Sequence, residues 1–183
     1  LRLSLRPHPD TPSAKVTAVE VELIACPGDD LLISYFVTGS EALIVPQELA
    51  TARRDGLWET TCFEAFLKPE GGEAYFEFNF SPSTEWAAYR FERHRDSRSD
   101  LPRPVDPFLT RGEPSDPLLE VDLDLSGLPD VPMRLGLCAV IEEAGGRKSY
   151  WALAHPPGDP DFHDPACFTL ELPAARPNPS PRT

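Results

Sequence analysis

The sequence predicts an all-β fold, an antiparallel β-sandwich of jelly-roll type. Three observations carry this expectation. Apolar and polar residues alternate with a period of two along most of the chain. Proline, glycine and aspartate clusters punctuate the alternation at short intervals. Almost no stretch has helical spacing. About nine or ten strands spaced by turns suit two packed antiparallel sheets.

Taken in order, residues 1–5 form a short first strand, and residues 8–13 a proline-containing connector. Residues 16–25 alternate and then meet Pro27-Gly28-Asp29-Asp30; residues 31–37 follow and stop at Gly39, so the pair reads as a hairpin. Residues 41–45 are short and apolar. Residues 46–55, PQELATARRD, are the best helix candidate, with Gly56 as the stop.

The centre of the chain is residues 55–90, which hold two of the three tryptophans. Phe63, Ala65 and Leu67 alternate with Cys62, Glu64 and Phe66. Residues 68–72 make a glycine-containing hairpin loop. Ala74, Phe76, Phe78 and Phe80 then alternate with Tyr75, Glu77 and Asn79. A third run sets Ala87, Tyr89 and Phe91 toward the core and Trp86, Ala88, Arg90 and Glu92 away from it. Matching the apolar faces puts Glu64 opposite Glu77, and Glu77 opposite Arg90. Like charges directly opposed in a sheet are unfavourable, so this row calls for Arg90, a bound cation or ligand hydroxyls to offset it. A solvated face with an ion-pair ladder is the plainer alternative.

Residues 92–117, rich in Arg, Asp and Pro, read as a long surface excursion. Strands resume at 118–125, 133–142 and 149–155; residues 156–165 are a proline- and aspartate-rich loop, and 167–172 close the fold. One domain over residues 1–173 and a disordered tail at 174–183 are expected.

The net charge of −13 argues against nucleic acid and anionic membranes, and suits a neutral or cationic ligand. No apolar run is long enough for a membrane helix. No signal peptide is visible, which points to the cytoplasm, or to the periplasm if the N-terminus has been trimmed. Cys26, Cys62, Cys138 and Cys167 are far apart and read as small hydrophobes rather than a disulfide framework.

The stretches WETTCFEAFL, YFEFNFSPSTEWAAYRF and SYWALAHPPGDPDFH resemble bacterial DOMON-like domain proteins, which are similar to family 9 carbohydrate-binding modules. The resemblance covers roughly residues 56–172. It implies a β-sandwich whose concave sheet binds sugar or haem. It also implies that Trp58 and Glu64, six residues apart, contact the sugar, with Trp151 as the second ring of an aromatic clamp. Thr60-Thr61-Cys62 stands where those modules carry an Asp.

Four functions are open at this level. In a saccharide-binding module, Trp58 and Trp151 stack on the ring while Glu64, Glu77, Asn79 and Arg90 hydrogen-bond its hydroxyls, with Trp86 flanking the row. Pairing 133–142 with 149–155 puts Trp151 and His155 on one partly polar face, with Gly136 leaving room. In a haem-binding domain, Met133, His155 and His163 are the available axial ligands. An enzyme would use Glu64 and Glu77 as a carboxylate pair, or the loop from His155 to Asp164 (with Asp159, Asp161 and His163) as a zinc or calcium site. A protein-interaction module would use its sheet edges. The expected role is non-catalytic binding of a small polar ligand, a saccharide, by the concave sheet.

Overall fold

The computed structural model describes residues 1–26, 30–101, 106–108 and 117–174. Residues 27–29 of the expected 27–30 turn, residues 102–105 and 109–116 of the expected 92–117 excursion, and the tail beyond residue 174 lie outside the described residues. The described residues form twelve strands: β1 Arg2–Pro7, β2 Ala18–Ala25, β3 Asp30–Thr38, β4 Cys62–Pro69, β5 Tyr75–Phe80, β6 Trp86–Phe91, β7 Ser99–Asp100, β8 Asp106–Phe108, β9 Leu119–Asp124, β10 Met133–Glu143, β11 Arg147–Ala152 and β12 Leu170–Leu172. All strand pairs are antiparallel. No helix among the described residues is long and apolar enough to cross a membrane.

One sheet runs β1-β2-β3-β9-β8, the other β7-β6-β5-β4-β10-β11-β1 with β12 beside β10. Strand β1 belongs to both. Arg2–Leu5 pair with β2, and Arg6 and Pro7 pair with β11, so the chain joins the sandwich at one edge. The inward set of the first sheet includes Val19, Val21, Ile33, Tyr35 and Val121; the second contributes Phe63, Phe78, Phe80, Leu135 and Trp151. The Tyr35 hydroxyl crosses the core to donate to the Glu64 carbonyl at 3.1 Å, which gives a buried polar group a partner.

The second sheet is buried on both faces. Every residue of β5 is buried, although its sequence alternates. Its outer face carries a second apolar cluster of Phe66, Tyr75, Tyr89, Phe91 and Cys138, covered by Leu57, Phe162, Cys167 and Phe168. Phe168 stacks on Phe66 with ring centroids 5.7 Å apart. Gly136 makes room for it, because a Cβ there would stand 2.6 Å from the Phe168 ring. The loop from Pro156 onward is thereby seated on the sheet.

Another anchor is Glu143, which accepts from Ser13 Oγ at 2.7 Å and from the backbone N–H groups of Ala14, Lys15 and Val16 at 2.8, 2.6 and 2.9 Å. Burial would raise its pKa, yet these four donors hold it at about 2.

The double burial corrects three expectations. First, residues 46–55 contain no helix. They run beside the β5–β6 turn, with Leu49 N donating to Ser83 O and Arg54 N to Trp86 O. An isolated helix that short is marginal in water, and these bonds satisfy the backbone instead. Second, Glu64 pairs with Asn79 rather than Glu77, while Glu77 pairs with Phe66 and Tyr89. Third, β6 is turned over: Trp86 and Ala88 enter the inter-sheet core, and Ala87, Tyr89 and Phe91 face outward. With apolar residues required on both faces, period two no longer says which face is inner.

Candidate functional site

The outer face of the second sheet carries a cavity of about 430 Å³, within the usual range for small-ligand sites. Its floor follows from the strand register. One cross-strand row reads Cys138, Glu64, Asn79 and Ala87; the next reads Phe66, Glu77 and Tyr89. Cys138 and Ala87 are small, so space remains above Glu64. Glu64 and Glu77 are diagonal neighbours on adjacent strands, a relation that sets backbones roughly 7–8 Å apart.

Three segments build the walls. Gly56, at φ 78°, starts a short 3-10 turn at Leu57–Glu59; a left-handed residue is needed there, and glycine adopts it without cost. The turn buries Leu57 and leaves Trp58 38% exposed at the mouth, edge-on to Tyr89 with centroids 6.3 Å apart. The loop after β6 brings Arg95 and Arg98, and the 156–168 loop brings Pro160, Phe162 and His163. Val140 and Tyr150 complete the lining from β10 and β11.

The rim loop is tightly constrained. Arg95 and Ser97 have φ of 55° and 54°, a region that non-glycine residues seldom occupy. The Arg95 N–H donates to the Tyr75 hydroxyl at 3.1 Å. Its guanidinium donates to Asp161 Oδ1 from Nε at 3.1 Å and from Nη2 at 2.8 Å. His94 Nε2 meets the other Asp161 oxygen at 2.8 Å. Burial would raise the Asp161 pKa, but these bonds pull it below its ordinary value. The Arg98 guanidinium lies over the Tyr89 ring, 4.7 Å from its centroid.

The polar groups of the floor form a chain. Asn79 Nδ2 donates to Glu77 Oε1 at 2.7 Å, and Glu77 Oε2 faces His163 Nε2 at 3.8 Å. His163 Nδ1 lies 2.8 Å from the Tyr75 hydroxyl. Burial, with Arg95 nearby, lowers the His163 pKa to about 4, so its ring is neutral near pH 7. Since Tyr75 already accepts from Arg95, its O–H is free to donate to Nδ1, which leaves the imidazole proton on Nε2, toward Glu77. Burial raises the Glu77 pKa to about 7 against the opposing pull of Asn79, Arg98 and Arg95. For Glu64, burial and then repulsion from Glu77 push it well above the carboxylate range. The Glu64 side chain is 4% exposed as a residue and receives no hydrogen bond from any described residue. Asn79 Oδ1 is also buried without a partner.

Of the residues singled out from sequence, Trp58, Glu64, Glu77 and His163 line one cavity, with Asn79 beneath them. The others lie elsewhere. Trp151, expected to clamp the ligand, is 3% exposed in the inter-sheet core opposite Ala139, with Nε1 donating to Ser149 Oγ at 2.9 Å. Trp86 is likewise in that core. Arg90 points to the opposite face from Glu77 and pairs with Glu92 at 3.2 Å on the surface. His155 meets the Arg6 carbonyl at 2.8 Å through Nε2 and packs edge-on to His8. The space beside Gly136 is filled by Phe168, not His155.

The haem ligands do not converge either, since Met133 belongs to the inter-sheet core and His163 to the outer face. The loop at 155–164 disperses its polar groups: Asp164 caps the turn at Pro165–Cys167, and Asp161 serves Arg95 and His94. Among the described residues no group of three or more His, Cys, Asp and Glu is placed to hold a metal ion. All four cysteines are free. Sequence reasoning missed Arg95, Arg98, Tyr150 and Phe162, which come from loops or from a strand whose facing was misread.

Solved structures share this architecture. A protein of Bacteroides uniformis ATCC 8492, described as a "putative carbohydrate-binding protein", matches with a TM-score of 0.70 at 19% identity, over 92% of this chain and 84% of that one. A family 9 carbohydrate-binding module of Caldicellulosiruptor kristjanssonii, solved with cellotriose, matches with a TM-score of 0.51 at 12% identity, over 94% and 83%. The fold is therefore a β-sandwich like that of the family 9 modules. No family model and no curated protein matches the chain.

Proposed function

We propose that this chain is a carbohydrate-binding module whose site is the cavity on the outer face of the second sheet. The observation that carries the reading is an exposed indole, Trp58, beside two buried carboxyl groups that face the same space. Sugars offer C–H faces to aromatic rings and hydroxyl donors to carboxylates. Glu64 receives no hydrogen bond from any described residue, and a ligand hydroxyl supplies one. Two structures of the same architecture, one described as carbohydrate-binding and the other holding cellotriose, support this class of ligand.

Calorimetric titration with a panel of mono- and disaccharides tests the reading. At least one sugar binds, and Trp58→Ala weakens it about tenfold, the loss expected from one stacking contact of about 1.4 kcal/mol. Undiminished sugar binding by Trp58→Ala would remove the cavity from consideration.

A further inference from the structure

The floor of the cavity holds two carboxyl groups with few hydrogen-bond partners. Two carboxyl side chains, each at most 5% exposed, line it together. Neither receives a hydrogen bond from a basic side chain among the described residues. Glu77 takes one bond, from the neutral amide of Asn79, and His163 lies 3.8 Å from it. Glu64 takes none. The two arginines of the rim are engaged elsewhere. Arg95 directs its guanidinium to Asp161, and Arg98 rests on Tyr89. Both are solvent-exposed, where water and salt screen their fields. Around this acidic floor stand the rings of Trp58, Phe91, Tyr150 and Phe162, whose faces attract cations.

Resting on the saccharide reading, we propose that the ligand is an amino sugar, its free ammonium seated between Glu64 and Glu77 and its ring stacked on Trp58. An ammonium group brings three donors and a positive charge, which together meet the unfilled acceptors of both carboxyl groups. A neutral hydroxyl offers one donor and no charge. The net charge of −13 also attracts a cationic ligand over distance.

The groups facing Glu77 set the pH dependence. They are Asn79 on its own strand, Glu64 on β4, Tyr75 at the start of β5, His163 on the covering loop, and Arg95 and Arg98 on the rim. Acidification from pH 7 protonates Glu77, so an ammonium ligand loses affinity as pH falls. A neutral sugar has no ammonium charge to lose this way.

The test is calorimetry near pH 7 and near pH 5 with glucosamine, N-acetylglucosamine, glucose and glucuronate. Glucosamine binds at least about tenfold more tightly than glucose or N-acetylglucosamine near pH 7, and this preference shrinks near pH 5. In Glu77→Gln and Glu64→Gln, each checked for folding by its thermal transition, glucosamine falls to the level of glucose. Equal binding of the sugars, or preference for glucuronate, would overturn the inference and leave the saccharide reading standing. Binding of none of a wider sugar panel would overturn both.

Discussion

Glu77 receives one hydrogen bond, from Asn79, and looks across 3.8 Å at a neutral His163. Its folded-state pKa of about 7 exceeds the value of roughly 4.3 expected in an unfolded chain. Between these values the folded state holds a proton that the unfolded state has lost. The stability that this group contributes is therefore greatest below about pH 4 and falls as pH rises toward 7, by about 3 kcal/mol. Glu77→Gln should flatten that slope and raise stability near neutral pH, as read from urea midpoints at stepped pH; an unchanged slope would show that Glu77 is not the titrating group. Glu64 and Glu77 were legible in sequence as neighbours on one face. The true pairing differs from the expected one by two residues, and a shift of two preserves facing. Arg90 was not legible as an outsider, because β6 is displaced by one residue and one residue inverts it. Arg95 and Arg98 sit on a loop, where no periodicity exists to be read.

The covering loop and the turn bearing Trp58 make the site out of a sheet face. Both depend on glycines of different kinds: Gly56 supplies a left-handed backbone, and Gly136 supplies clearance for Phe168. Gly136→Ala would drive a Cβ against the Phe168 ring and to 3.2 Å from the Cys167 carbonyl. Overpacking of this kind costs about 1–3 kcal/mol, and here it falls on the loop that carries His163. The expected outcome is a lowered melting temperature together with weakened sugar binding. A loss of stability with full binding would mean that the loop does not shape the site. The sequence pattern showed the loop and its chemistry-bearing residues but not its seat. Gly136, Phe66 and Phe168 meet only after β4, β10 and the closing segment are in place. Equally, Trp151 was expected to clamp the ligand from the resemblance and from a pairing of 133–142 with 149–155 that set it on a partly polar face, while pairing with Ala139 turns it inward.

At the scale of the whole molecule, the sandwich was readable because each strand keeps its alternation and each hairpin its turn residues. What alternation could not convey is that one sheet is covered on both sides. Its outer cluster leaves residues 62–67 of β4 and all of β5 buried, and it is this burial that raises the pKa values of the two carboxyl groups. The three tryptophans then become reporters of distinct regions: Trp58 at the cavity mouth, Trp86 and Trp151 in the inter-sheet core. The most direct measurement is a proton–nitrogen NMR titration of the three indole N–H groups with a sugar that binds. The Trp58 resonance should move progressively to saturation while those of Trp86 and Trp151 stay near their free positions. Saturable binding that leaves Trp58 unmoved would contradict the assignment of the cavity as the sugar site.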